Sequence, residues 1–157
     1  MHGRRECVSV LISAGAKIDA METIHGTPLH AACENNQYES AKLLLLNGAN
    51  PSARIRHKTP LHCSALNDHS QLVELLLKFG ADVFYRDAKE FRPSELCKPN
   101  SDSYRILKFY EDNPQSLLQQ CRLKIKVLLS DGRRYFKGAI QSLPKSLQSY
   151  LNFNEFR

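Results

Sequence analysis

The chain has 157 residues, 42% of them apolar and 24% charged, with a formal net charge of +6. These proportions suit a soluble globular protein with room for one domain, or for a short repeat array with an appendage. No apolar run approaches the roughly 18 residues that span a bilayer, and residues 1–14 lack the plan of a secretory signal, since only the short run Cys7–Ala14 follows His, Arg and Glu.

The first predicted element is a helix over residues 5–14, Arg5-Glu6-Cys7-Val8-Ser9-Val10-Leu11-Ile12-Ser13-Ala14. It ends at Gly15-Ala16, a pair that returns as Gly48-Ala49 and Gly80-Ala81. Between these pairs Thr27-Pro28-Leu29-His30 recurs 32 residues later as Thr59-Pro60-Leu61-His62. Each threonine is placed to cap a helix whose first turn holds the proline. The runs Ala41–Leu46 and Leu72–Leu77 are apolar on nearly all sides, so a helix built from them must be sandwiched between neighbours. Gly15, Gly48 and Gly80 are expected to end these second helices in the left-handed conformation. Residues 50–58 and 82–90 then form extended turns between units.

A period near 33 carrying Thr-Pro-Leu-His resembles the ankyrin repeat, a turn followed by two helices. That resemblance implies that His30 and His62 tie neighbouring repeats through backbone hydrogen bonds. In this frame residues 5–14 are a second helix with no first helix before it. A terminal repeat normally carries a polar outer face, whereas Val8, Leu11 and Ile12 are expected to be exposed here. The expectation is therefore a fragment, an alternative isoform or a gene model without upstream repeats. At the other end Phe91-Arg92-Pro93-Ser94-Glu95-Leu96 replaces Thr-Pro-Leu-His, and residues 104–111 supply its second helix. This is expected to be a degenerate last repeat that caps the stack.

Asn113-Pro114 marks a break. Ser116 and Gln119 have the spacing of a capping box that opens a helix at Leu117 and carries it to about Leu129. Asp131-Gly132 turns the chain. A second helical pattern holds Tyr135, Phe136, Ala139 and Ile140, and Leu143-Pro144 precedes a last apolar face of Leu147, Tyr150, Leu151 and Phe153. Leu117, Cys121 and Ile125 recur every four residues, so they share one helical stripe. Such a stripe, with a small soft cysteine in it, suits a shaped pocket on another protein.

The pattern Ser-Leu-x-x-x-Cys-x-x-x-Ile at 116–125, following ankyrin-type repeats, resembles the elongin-binding start of a SOCS box. The order of the two parts resembles the ankyrin repeat and SOCS box family, which supplies substrate receptors to ubiquitin ligases. The resemblance covers about residues 5–153. It implies an all-α fold: an ankyrin-repeat solenoid over residues 1–111 (partial first repeat, two full repeats, degenerate last repeat), then a three-helix SOCS box over residues 112–157. It implies that Leu117, Leu118, Cys121, Ile125 and Leu128 bind elongin B/C. It also implies that Leu143, Pro144, Leu147, Tyr150 and Leu151 meet cullin-5 with its RING partner. The family's preceding Leu-Pro is replaced here by Gln141-Ser142. An unknown protein substrate is expected on the repeats, at Arg54, Arg56 and His57 in one turn and Tyr85, Arg86 and Lys89 in the next. Glu34, Asn35, Asn67 and Asp68 on the inner helices complete that set. The alternative is an ankyrin interaction module outside any ligase, or a truncated isoform that competes for elongin B/C.

Other chemistry finds little support. The basic excess lies in residues 112–157, where Arg122, Lys124, Lys126, Arg133, Arg134, Lys137, Lys145 and Arg157 face Asp112, Asp131 and Glu155. These charges interleave with an apolar stripe and lack an aromatic stacking ladder, so neither nucleic acid nor membrane is expected as partner. The five cysteines, at 7, 33, 63, 97 and 121, form no Cys-x-x-Cys pair. They are expected to be reduced, buried thiols of a cytoplasmic or nuclear protein. His30-x-x-Cys33 becomes His62-Cys63 without a gap in the next unit, so no ligand set converges. No catalytic residue, metal or cofactor is expected.

Overall fold

The computed structural model describes residues 3–113, with side chains from residue 6. Among these residues the elements are helices only: α1 (Gly3–Ser13), α2 (Pro28–Glu34), α3 (Tyr38–Leu46), α4 (Pro60–Leu66), α5 (Ser70–Lys78), α6 (Pro93–Leu96) and α7 (Asp102–Asp112). The short helices α2, α4 and α6 pack side by side as one row, and α1, α3, α5 and α7 form a second row behind them. Each unit is thus a helix pair closed by an extended turn. The expected SOCS box, with its elongin and cullin residues from Leu117 to Leu151, lies outside the described residues.

The local chemistry repeats with the sequence. Thr27 and Thr59 hold extended backbone angles as the N-caps of α2 and α4, and proline follows at the first helical position. Three residues on, a histidine completes the cap. The Thr27 backbone N–H donates to His30 Nδ1 at 3.2 Å, and the Thr59 N–H donates to His62 Nδ1 at 3.3 Å. The opposite ring nitrogen reaches the next unit: His30 Nε2 lies 3.3 Å from the Lys58 carbonyl and His62 Nε2 lies 3.2 Å from the Phe91 carbonyl. A backbone N–H can only donate and a carbonyl can only accept. Nδ1 must therefore be the bare nitrogen, and Nε2 must carry the proton. The tie between repeats implied by the ankyrin resemblance is present at both histidines.

The second row holds most of the core. Leu72, Val73, Leu75, Leu76 and Leu77 of α5 are all buried, because α5 packs on α4 within its unit and on α3 and α7 to either side. Full burial of a leucine or valine is worth roughly 1.5–3 kcal/mol, so this one helix anchors the stack. Gly15, Gly48 and Gly80 have φ of 83°, 93° and 87°, the left-handed cap expected after each second helix. Turn-to-turn hydrogen bonds add a ladder along one edge. The Asn50 N–H donates to the Asp19 carboxylate at 3.2 Å, and the Asp82 N–H donates to Ser52 Oγ at 3.3 Å.

Three expectations need correction. In α1 the exposed apolar side chains are Val10 and Leu11. Val8 and Ile12, four residues apart, share the face turned to α3 and pack against the core. The α3 run is not wrapped on every side either, because Leu46, its last residue, is 45% exposed. Cys7 is exposed, so not every thiol is buried.

The last unit follows the plan with different chemistry. Its first helix is a single turn, Pro93–Leu96. Arg92 stands in the threonine position and Glu95 in the histidine position. Glu95 Oε2 accepts from the Arg92 N–H at 2.6 Å, so the cap survives. A carboxylate has no N–H to donate to a carbonyl as the histidine Nε2 does. Ser101 caps α7, its Oγ accepting from the Tyr104 N–H at 3.2 Å. The element is longer than the expected 104–111 at both ends. Ser94 Oγ donates to Glu111 at 2.6 Å and so ties α6 to α7, and Lys108 Nζ, within α7, donates to the same carboxylate at 2.7 Å. Burial would raise the Glu111 carboxyl, but these two donors outweigh it and hold it below the usual carboxylate range.

Candidate protein-interaction surface

The turns are short hairpins set by single backbone features. In the first, Glu22 and Gly26 pair, with φ of 75° at Gly26. A Cβ at Gly26 would lie 3.0 Å from Ile55 Cγ2, which shows how closely the second hairpin sits against the first. In the second hairpin Ile55 and Lys58 exchange both backbone hydrogen bonds, at 2.9 and 2.8 Å. The two residues between them, Arg56 and His57, have φ of 46° and 65°. This is a two-residue loop of the type that prefers Asn-Gly, built here without glycine. In the third turn Asp87 Oδ1 accepts from the N–H groups of Lys89 and Phe91, at 2.8 and 3.0 Å. Burial would raise the Asp87 carboxyl, yet these backbone donors hold it below its ordinary value.

The candidate contact residues divide by what they touch. Arg54 and Tyr85 come together across adjacent turns. Arg54 Nη1 donates to the Tyr85 hydroxyl, and the guanidinium carbon stands 5.0 Å from the ring centroid. Arg86 bends back on its own turn and donates to the Glu90 carbonyl at 2.6 Å. Arg56, His57 and Lys89 are exposed. On the inner row, Asn35 and Asn67 use their amide N–H groups to close their own helices, at 2.9 Å to the Ala31 carbonyl and 3.1 Å to the Cys63 carbonyl. The exposed Glu34 accepts a weak bond from Cys63 Sγ at 3.9 Å. Asp68 is directed to the start of α7, where the Ser103 and Ser101 side chains hold its carboxyl below the ordinary value. These four inner residues therefore serve the fold at least as directly as a partner.

Sequence reasoning missed a second arginine–aromatic pair. The Arg92 guanidinium carbon stands 5.6 Å from the Phe84 ring centroid. Phe84 and Phe91 are both exposed large apolar residues of the same turn. The signal was available, since Arg92 occupies the threonine position of a Thr-Pro pair, where an arginine has no capping role of its own.

The electrostatics do not favour thiol or imidazole chemistry at this surface. Burial pushes the Cys33 and Cys63 thiols up to about 12, and Cys97 up to about 11, so none supplies a thiolate at neutral pH. Burial likewise lowers His30 and His62 below 6.5, against the opposing pull of the carbonyls of Lys58 and Phe91. Both are neutral structural residues. Among the described residues no group of three or more His, Cys, Asp or Glu is placed to hold a metal ion, and no helix is long and apolar enough to cross a membrane.

A family model for ankyrin repeats in three copies matches residues 1–87. The chain belongs to the ankyrin-repeat family. It is also homologous to the ankyrin repeat and SOCS box proteins. It is 36% identical to ankyrin repeat and SOCS box protein 5 of Mus musculus over 151 residues, or 96% of this chain and 46% of that protein. It is 36% identical to the human ankyrin repeat and SOCS box protein 9 over 126 residues, or 80% of this chain and 42% of that protein. The crystal structure of the human ASB11 ankyrin repeat domain superposes with a TM-score of 0.68 at 31% identity, over 72% of this chain and 51% of that one. The chain thus spans less than half the length of the curated relatives it matches. Its ankyrin repeats present a protein-interaction surface.

Proposed function

We propose that this chain is a substrate-recognition subunit of an elongin B/C–cullin-5 RING ubiquitin ligase. It performs no chemistry of its own. It holds a target protein on the ankyrin turns and brings it to a ubiquitin-charged conjugating enzyme, so its contribution is proximity. Leu117, Cys121 and Ile125, flanked by Leu118 and Leu128, form the stripe that enters elongin C. Leu143, Pro144, Leu147, Tyr150 and Leu151 face cullin-5.

One observation carries this proposal. The similarity to ankyrin repeat and SOCS box protein 5 extends over 151 residues, which cannot fit within the repeats and must continue into the segment that holds the Leu-Cys-Ile stripe. The test is reconstitution. The full chain with elongin B/C, cullin-5 and its RING partner is expected to modify a protein captured by the repeats, and Leu117→Ala with Cys121→Ala is expected to abolish transfer. Transfer that proceeds unchanged in the double variant would refute the assignment of the stripe.

A further inference from the structure

Charge is segregated within the repeats. Residues 1–111 carry 14 basic and 13 acidic residues, nearly in balance. Yet the hairpins at 54–58 and 84–92 hold Arg54, Arg56, Lys58, Arg86, Lys89 and Arg92 against only Asp87 and Glu90. Asp87 is buried and occupied by backbone N–H groups, which leaves Glu90 exposed, and Asp82 exposed at the start of the third turn where it accepts from the Phe84 N–H at 2.9 Å. The balancing carboxylates belong largely to the helices, where Glu74 pairs with Lys78 and Glu111 with Lys108.

Two of the arginines are also held in place. Arg54 lies over Tyr85 and Arg92 over Phe84, one pair bridging the second and third turns and the other within the third turn and its exit. A guanidinium stacked on a ring loses rotamer freedom in advance while its outer N–H groups stay available for a planar oxyanion. A carboxylate matches that fork bidentately. Next to the pairs, Phe84 and Phe91 present exposed apolar surface.

We infer that the second and third turns bind an acidic segment of a protein, with Asp or Glu carboxylates on Arg54 and Arg92 and an apolar residue between them on Phe84 or Phe91. A polypeptide fits better than nucleic acid, because Phe84 and Phe91 sit together beside the third turn and do not make the extended ladder on which successive bases stack, whereas one apolar side chain between two carboxylates needs no more than this surface. This inference deepens the ligase proposal by naming the chemistry of the substrate, and the surface can be tested apart from it.

The test uses the full chain and a short fluorescein-labelled peptide of alternating Glu and Leu, followed by fluorescence anisotropy. The same peptide with Gln for Glu, a phosphotyrosine peptide and single-stranded polythymidylate are run beside it. The Glu peptide is expected to bind and its Gln counterpart to fail. Arg54→Gln with Arg92→Gln is expected to weaken binding by at least about tenfold, two charged hydrogen-bond sites being lost. Lys124→Gln with Lys126→Gln, in the basic tail, should leave it unchanged. Arg54 is exposed and Arg92 half-buried, and unaltered far-ultraviolet circular dichroism would establish that the variant folds. Equal binding by the arginine variant, loss of binding in the tail variant alone, or tighter binding of phosphotyrosine or polythymidylate than of the Glu peptide would overturn the inference. Capture of elongin B/C is measured on the same preparations. Peptide binding without elongin capture would sink the ligase proposal and leave this surface standing, whereas elongin capture with no peptide binding would do the reverse.

Discussion

The histidines of the first helix row offer the sharpest test of how the stack is held. Consider His62→Ala. The ring is 1% exposed and joins two backbone groups, the Thr59 N–H within its own cap and the Phe91 carbonyl of the next unit. Removing it strands the Thr59 N–H, on a residue only 2% exposed, at a cost of about 1–3 kcal/mol. The Phe91 residue is exposed, so water recovers part of that carbonyl's loss and about 1 kcal/mol remains. The vacated ring volume adds about 1 kcal/mol more. The total is about 3–5 kcal/mol, a large share of the roughly 5–15 kcal/mol that holds an ordinary domain. His62→Gln separates the two functions. Its amide oxygen can take the N-cap N–H, as Glu95 does at 2.6 Å in the last unit, but it cannot also reach Phe91. That variant is expected to cost about 1–2 kcal/mol. Urea unfolding followed by far-ultraviolet circular dichroism measures both. Hydrogen exchange should show α6 and α7 losing protection first, since neighbours alone stabilise a repeat. A loss below about 1 kcal/mol for His62→Ala, or equal losses for Ala and Gln, would refute the two-sided role.

Three further outcomes are expected. His30 and His62 are held below their ordinary value of 6.5 by burial, so the unfolded chain takes up protons first. Their stabilising contribution is full above 6.5 and falls as pH drops through 6.5 toward the lower folded values; thermal unfolding at about pH 7.5 and about pH 5.5 should show this drop, and His30→Gln with His62→Gln should flatten it. Arg56→Asn with His57→Gly relieves two left-handed residues that each cost about 1–2 kcal/mol, so a net gain of about 1 kcal/mol in urea unfolding is expected, and a loss would mean that the hairpin is held by side-chain contacts instead. In native protein a maleimide should label Cys7 rapidly and leave Cys33 and Cys63 untouched until unfolding, with the modified residues read by peptide mass spectrometry; rapid labelling of Cys33 would contradict its burial.

Much of the repeat was legible because its signals are local. Thr-Pro fixes a cap and a first turn, Gly-Ala fixes a left-handed stop, and a run such as Leu72–Leu77 can only be an interior helix. The forward tie of the histidines came from likeness to a known repeat, and the ring geometry then explains it through the one tautomer that serves both neighbours. Other features depend on which residues meet across units. Val8 and Ile12 could not be told from Leu11 without knowing where α3 lies. Arg54 and Tyr85 are 31 residues apart, close to the repeat length, so the period does mark them as neighbours on adjacent turns. Arg92 over Phe84 escaped notice because both residues sit where the repeat pattern breaks down. Asp68 looked like a surface acid and proved to face the start of α7, a contact that arises only once the last unit is stacked.

The measurement that bears most directly on the proposed role is co-purification of the full chain with elongin B/C, the native chain beside Leu117→Ala with Cys121→Ala. Burying one leucine is worth roughly 1.5–3 kcal/mol, and such an anchor can dominate an interface. A stoichiometric complex that is lost in the double variant, with the helical signal of the repeats intact, is the expected result. A folded native chain that captures no elongin, or a double variant that captures it equally well, would contradict the proposed function and leave an ankyrin interaction module outside any ligase.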